Sequence, residues 1–195
     1  MTMFLIATSI LLTMLSGSPR IMHLTRLLYY SEYLGRDFPE ILDGQVWRLV
    51  TPIFLHGGII HLAFNMLWLY QLGGAIEKNE GKLYLLAVTL VGAAICNTAQ
   101  YVVSGPSFLG FSGVIYAYLG YVWMMSRYQP GSRYFVTRDT IIWMVGWIVV
   151  CYTGVLGPVA NTEHVVGFMI GTAFGFMRSG YLLTMIRRSR YRDRR

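Results

Sequence analysis

Three long stretches of this chain carry no Asp, Glu, Lys or Arg, and they constrain its fold more than any other feature. They are residues 49–76, 83–126 and 140–162. Charged residues make up 13% of the chain, about half the share typical of soluble domains. Inside a bilayer every backbone N–H and C=O must be satisfied within the protein, and helices achieve this. The sequence therefore predicts an all-α integral membrane protein.

Turn residues and charges divide the apolar sequence into six predicted spans. Their approximate ranges are 3–22, 58–76, 83–103, 112–125, 140–156 and 163–186. Each is near the roughly 20 residues that cross a bilayer, although the first, fourth and fifth are short. The first apolar stretch could instead be a signal peptide, but no basic region precedes it. We predict one six-span domain over residues 1–186 and a basic tail over residues 187–195, with 23–50 as an interfacial loop.

The excess positive charge is concentrated on one side of the predicted membrane. The net charge is +7, and it resides mainly in residues 127–139, with three Arg and one Asp, and 178–195, with seven Arg and one Asp. Basic residues mark the cytoplasmic side of membrane proteins. With six spans, both termini are then cytoplasmic, and the tail contacts anionic lipid headgroups. Because the excess positive charge is explained by membrane orientation, we do not expect nucleic-acid binding.

Several polar residues interrupt the apolar spans, and such residues are functional candidates because lipid makes them costly. In the second span His61 and Asn65 share one helix face. The sixth span carries a stripe of one histidine and three glycines: His164, Gly167, Gly171 and Gly175. Such glycines permit close helix contact. The fourth span offers a matching stripe of Ser112, Tyr116 and Gly120.

Packing of these two stripes would bring Ser112 beside His164 near the outer surface. Ser112 lies between Gly110 and Gly113 at a predicted helix start, where a serine is either an N-cap or an exposed nucleophile. Tyr116, one turn below, could stack on the imidazole. Ordinary helix packing with interhelical hydrogen bonds explains each residue separately, whereas the combination favours a Ser–His dyad.

Other chemistries fit the sequence less well. Every Asp falls outside the predicted spans, so a paired intramembrane aspartate site is not expected. The segment 61–65 lacks the His-Glu-x-x-His pattern of zinc proteases. Three histidines, His56, His61 and His164, could in principle hold a metal, but few acids accompany them, and we expect no metal and no cofactor. Cys96 and Cys151 lack metal-site or disulfide spacing and are expected to be small core residues.

These residues together resemble the bacterial rhomboid intramembrane serine proteases. The resemblance runs from the first span to the end of the sixth and rests on four pieces in order: Trp47-Arg48, His61-x-x-x-Asn65, Gly110-Phe111-Ser112-Gly113 and His164-x-x-Gly167-x-x-x-Gly171. Gly-x-Ser-Gly alone would be a weak signal. The four in order are specific.

The resemblance implies a role for each matched residue. Ser112 would be the nucleophile and His164 its base, with His61, Asn65 and the Ser112 N–H as the oxyanion hole and Tyr116 packed on the base. Trp47 and Arg48 match a membrane-embedded first outer loop. The implied activity is cleavage of transmembrane segments of other proteins in the bacterial inner membrane, without a cofactor.

The sequence also departs from the family pattern. Relatives commonly carry a small residue where Glu163 stands, and we expect this carboxylate to face water at the helix start. The cytosolic N-terminal domain of some relatives is not expected here, because the first span starts near Met3. Two other functions remain open: a rhomboid-like pseudoprotease that binds membrane proteins without cleaving them, and a small transporter.

Overall fold

A computed structural model describes residues 1–18, 21–35, 37–155, 157–181 and 184–185. Within these residues the regular structure is helical, and none of it is strand. The α-helices are α1 (Thr2–Ser16), α2 (Met22–Thr25), α3 (Pro39–Leu42), α4 (Ile59–Trp68), α5 (Gly74–Glu80), α6 (Lys82–Ser104), α7 (Ser112–Tyr128), α8 (Arg138–Tyr152) and α9 (Asn161–Arg178). This agrees with the predicted all-α class.

The helix bounds differ from the predicted spans in ways that local residues explain. The first helix ends at Ser16, not near Met22, with Gly17 as its C-cap. Between α4 and α5 a π-helical segment, Leu69–Gly73, keeps the helix continuous from Ile59 to Glu80. The last long helix ends at Arg178, and Gly180 follows with a φ of 69°.

Two helices of the described chain are long and apolar enough to cross a bilayer by themselves, Ile59–Glu80 and Lys82–Ser104. The apolar helix α1 is shorter, with 15 residues. Helices α7 and α8 have 17 and 15 residues. Residues 23–50 form short helices and 3₁₀ turns at Arg26–Leu28 and Val46–Leu49, as expected for an irregular loop between spans.

Helix α7 is the centre of the molecule. Every residue from Gly113 to Val122 is buried, so the helix is surrounded by protein on all sides. Helix α8 lies at the periphery, where Trp143 and Val149 are exposed and only Met144, Ile148 and Cys151 are buried. A helix that is apolar on every face lies inside a protein or in lipid. The first describes α7, and the second is the expected surroundings of the exposed apolar side chains of α8.

Helices α7 and α9 pack with their backbones in direct contact. A Cβ atom added to Gly120 would lie 2.6 Å from the carbonyl oxygen of Phe168, and one added to Gly175 would lie 2.7 Å from that of Tyr121. Cβ atoms added to Gly167 and Gly171 would overlap the carbonyl oxygens of α7. Small residues allow this approach. The glycine stripe of the sequence therefore faces α7, and it fixes how closely the two helices meet.

A polar cluster joins five segments at the end of the molecule opposite Ser112. The Glu80 Oε1 atom accepts hydrogen bonds from the hydroxyls of Tyr121 (3.1 Å) and Tyr134 (3.0 Å). The Tyr84 hydroxyl donates to that of Tyr121 (3.1 Å), and Arg178 reaches Glu80 Oε2 at 3.4 Å. These contacts tie α5, α6, α7 and α9 to the loop after α7.

Candidate active site

Ser112 is the first residue of α7, and the segment before it can adopt its path only with glycine at residue 110. Gly110 has a φ of 125°, in the region where side chains are strained. A Cβ there would lie 2.7 Å from Cε1 of His61. Phe111, not Ser112, occupies the N-cap position of α7. The N-cap interpretation of Ser112 is therefore wrong, and its hydroxyl is free for another partner.

That partner is His164, in the first turn of α9. The Nε2 atom of His164 lies 2.8 Å from Oγ of Ser112, a normal hydrogen-bond length for this pair of atoms. His164 is buried, whereas Ser112 is half-buried. With the hydroxyl donating to Nε2, the imidazole can accept its proton. In the part of the chain that the structure describes, the other ring nitrogen, Nδ1, has no hydrogen-bond partner, so no third side chain joins the contact between Ser112 and His164.

Tyr116 supports the imidazole of His164 as the spacing of the sequence predicts. The two ring centroids lie 4.7 Å apart with an interplanar angle of 42°. The Tyr116 hydroxyl donates to the carbonyl oxygen of Met144 in α8, at 2.8 Å. This buried tyrosine therefore contacts the histidine and α8 at the same time.

His61 and Asn65 lie on α4, on the side facing the loop before Ser112. The His61 ring is exposed and lies against Gly110. Asn65 is buried, and its Nδ2 donates to the carbonyl oxygen of His61 at 2.8 Å, while its Oδ1 has no partner. One amide hydrogen of Asn65 is thus engaged within α4, and the second remains for another acceptor.

His56 lies in the same cluster, although the sequence suggested it only as a metal ligand. Its buried ring lies 5.1 Å from that of His61, and its Nε2 accepts the backbone N–H of Phe111 at 3.4 Å. In the described part of the chain no group of three His, Cys, Asp or Glu side chains is arranged to hold a metal. His56 lies five residues before His61, which is not a helical spacing, so the sequence carried no signal that would have identified it.

The expectation for Glu163 is wrong, because this side chain does not face water. It is 1% exposed and lies between α6 and α7, where its Cβ and that of Cys96 flank Gly113 at about equal distance. Its backbone N–H donates to Oε1 of Gln100 at 3.2 Å. Neither carboxyl oxygen has a hydrogen-bond partner in the described structure. The side chain turns inward because α6 covers this face of the first turn of α9.

Replacing Glu163 by Met is expected to stabilise the protein. A buried polar group without a partner costs about 1–3 kcal/mol, and Met fills a similar volume without polar atoms. We expect the free energy of unfolding in detergent to rise by about that amount. Glu163→Gln is the matched control, because it keeps an unsatisfied polar group and should gain little. Equal or lower stability of Glu163→Met would mean that the carboxyl has a stabilising partner.

Trp47 and Arg48 organise the loop between α1 and α4 and lie outside the Ser112–His164 contact. Arg48 is buried and donates to the carbonyl oxygens of Arg26 (2.9 Å) and Tyr29 (2.8 Å) and to Glu32 (3.1 Å). Trp47 is exposed, and its indole N–H donates to the carbonyl oxygen of Leu27 at 3.0 Å. Their role is to hold the loop together.

Comparison with known proteins decides the family. The Rhomboid domain model matches residues 43–181, a range that contains every residue of the site described above. This chain belongs to the rhomboid family. The match begins just before Trp47 and extends beyond the last glycine of α9, so it includes Trp47 and Arg48, the contact between Ser112 and His164, and the packed helices α7 and α9.

Curated rhomboid proteins from several Salmonella strains are similar to this chain over most of its length. The Rhomboid protease GlpG of Salmonella paratyphi A is 38% identical over 146 residues, which is 74% of this chain and 53% of the relative. The protein of the same name from Salmonella choleraesuis is 39% identical over the same extent. The chain therefore spans about half the length of the curated relatives that it matches.

Proposed function

We propose that this rhomboid protein is an intramembrane serine endopeptidase that cleaves transmembrane segments of other proteins. The observation that carries the proposal is the 2.8 Å contact between Ser112 Oγ and His164 Nε2. A nucleophile within hydrogen-bond reach of its base is the signature of covalent catalysis. The similarity to proteins named Rhomboid protease GlpG supports the same activity.

In the proposed reaction the Ser112 hydroxyl attacks the carbonyl carbon of the scissile peptide bond. The proton of Oγ passes to Nε2 of His164, and the carbonyl oxygen becomes an oxyanion. The imidazolium then gives this proton to the leaving amine, and an acyl-enzyme remains on Ser112. Tyr116 holds the imidazole ring through this cycle by its tilted ring contact. A water then attacks the ester with His164 again as the base, the bond between the acyl carbon and Oγ breaks, and the proton on Nε2 returns to Oγ of Ser112.

The oxyanion forms beside the N-terminus of α7. The backbone N–H of Ser112 lies at the positive end of this helix, which favours developing negative charge. His61 and Asn65 are the further proposed donors. Asn65 would use the amide hydrogen that does not bond the His61 carbonyl. In acyl transfer one such donor is worth about 10²–10³ in rate.

The membrane arrangement that we propose has six spans with both termini in the cytoplasm of a bacterial inner membrane. The spans are α1, the continuous helix from Ile59 to Glu80, α6, α7, α8 and α9. Ser112 then lies near the outer face, where water reaches it, and residues 23–50 form the loop embedded in the outer leaflet. The domain is 1–186 with a basic tail, 187–195, outside the described residues, and the reaction uses no metal or cofactor.

A fluorophosphonate probe tests the proposal directly. In detergent, the wild-type protein should be labelled covalently, and Ser112→Ala should remain unlabelled at equal stability. In liposomes, only the wild type should cleave a model transmembrane substrate that has helix-breaking residues near its outer end. A folded wild type that neither reacts nor cleaves would favour the pseudoprotease alternative. Substrate flux without cleavage would favour a transporter.

A further inference from the structure

The residue before the proposed nucleophile is connected to helix α1 through a chain of directional hydrogen bonds. The backbone N–H of Phe111 donates to Nε2 of His56 at 3.4 Å. Nδ1 of the same ring lies 3.3 Å from the hydroxyl of Thr13 on α1. That hydroxyl in turn donates to the carbonyl oxygen of Phe54 at 3.2 Å. This series of hydrogen bonds therefore begins at one backbone group and ends at another, with the side chains of His56 and Thr13 between them.

The donors and acceptors along this chain permit only one tautomer of His56. Nε2 accepts a backbone N–H and must therefore carry a lone pair, so the ring proton resides on Nδ1. The Nδ1–H group then donates to Thr13, whose own proton is committed to Phe54. Every polar atom along the path has a partner. A chain satisfied in this way has one orientation for each side chain.

The ring of His56 is also in the neutral state that this series of hydrogen bonds requires. Burial, followed by the neighbouring His61, lowers the pKa of His56 to about 3. The imidazole is therefore neutral at physiological pH. A protonated ring would lose the lone pair that accepts the Phe111 N–H.

Two further contacts fix the same segment from the same side. The N–H of Gly110 donates to the carbonyl oxygen of Pro52 at 3.2 Å, and His61 lies against the Cα of Gly110. Residues 52–56 therefore hold both backbone N–H groups that precede Ser112. Thr13 anchors this segment at Phe54 and at His56, so α1 supports it without contacting Ser112 itself.

We propose that His56 and Thr13 are positioning residues that set the backbone of Gly110–Phe111 and thereby aim the Ser112 N–H and Oγ at the reacting carbonyl. This inference rests on the proposed peptidase function. Both residues act through Phe111 and neither touches substrate. A shift of about 1 Å in a reacting group can lower a rate by about 10²-fold, so the loss of this support should reduce turnover and leave substrate binding unchanged.

Three variants of His56 separate the contact to Phe111 from the contact to Thr13. In His56→Gln the amide oxygen reaches the position of Nε2 and can still accept the Phe111 N–H. In His56→Asn the shorter amide reaches only the position of Nδ1, and His56→Leu keeps neither contact. We expect kcat to fall more than tenfold for Leu and Asn but less than fivefold for Gln, with KM within twofold of wild type.

Thr13 provides a second and milder test from α1. Thr13→Val removes the hydroxyl at almost constant volume and should lower kcat about fivefold, whereas Thr13→Ser should stay within twofold of wild type. Thr8→Val, on the same helix, is the matched control and should leave kcat unchanged. Thermal unfolding in detergent, measured for each variant, identifies any that has lost its fold.

The outcomes distinguish this inference from the proposed function. If wild type cleaves and Ser112→Ala does not, yet the Gln, Asn and Leu variants of His56 lose activity equally, the positioning role is wrong. Unchanged kcat in Thr13→Val would likewise exclude the link to α1. If wild type itself neither cleaves nor reacts with the fluorophosphonate, the proposed function fails before the inference is reached.

Discussion

Replacing His164 by Ala is expected to lower kcat/KM for cleavage of a transmembrane substrate by about 10³-fold or more. The imidazole Nε2 is the one base within hydrogen-bond distance of Ser112 Oγ in the described structure, and general base catalysis is typically worth about 10²–10⁴. A 10³-fold loss corresponds to about 4 kcal/mol of activation free energy. The measurement is the initial rate of cleavage in liposomes of defined composition.

The control for this prediction is a histidine outside the site. His23, in α2, is exposed, and His23→Ala should retain the wild-type rate. Added imidazole should restore part of the activity of His164→Ala, because the vacated space beside Tyr116 can admit a free base. A rate for His164→Ala within tenfold of wild type, in a variant that remains folded, would exclude His164 as the base.

The pairing of α7 with α9 could be predicted from the sequence because it depends on backbone geometry. Residues at intervals of three and four share a helix face, and a stripe of glycines on a helix permits backbone contact whatever the surrounding sequence. The stripe of Gly167 and Gly171, together with the matching stripe on α7, therefore indicated which helix packs on α9 and that the two backbones lie close together. With that pairing fixed, the approach of Ser112 and His164 follows.

The environment of Glu163 could not be predicted in the same way. A residue in the first turn of a helix faces water or protein according to which neighbouring helix extends beyond that end. Here α6 reaches past the start of α9, and Gln100 binds the backbone N–H of Glu163. The contact depends on where α6 ends, so it could not be predicted from the sequence of α9 alone.

Hydrogen bonds between distant segments were similarly hidden. His56 and Thr13 are separated by more than forty residues, and only the fold brings α1 beside the segment before α4. The inward bond of Asn65 to the His61 carbonyl is a choice of side-chain rotamer that spacing does not determine. The sequence thus predicted the contact between Ser112 and His164, and the structure added how the backbone before Ser112 is supported.

The largest effect on stability is expected from Gly171→Ala. An added Cβ would overlap the carbonyl oxygen, carbonyl carbon and Cα of Ala117, which are backbone atoms that cannot rotate away. Overpacking typically costs about 1–3 kcal/mol and occasionally more, and we expect at least about 3 kcal/mol here, measured by thermal or denaturant unfolding in detergent. The forced separation of α7 and α9 should also move Ser112 from His164 and reduce cleavage at least about 100-fold.

Gly146→Ala on α8 is the matched control for that substitution. Gly146 also lies inside a helix, but a Cβ there would meet no atom within 4 Å. Because Ala is favoured over Gly in a helix by about 0.5–1 kcal/mol, this variant should be equally stable or slightly more stable. If both variants behave alike, backbone contact between α7 and α9 does not limit stability. A loss of both stability and cleavage in Gly171→Ala, with neither lost in Gly146→Ala, would support the conclusion that packing of α7 against α9 keeps Ser112 near His164.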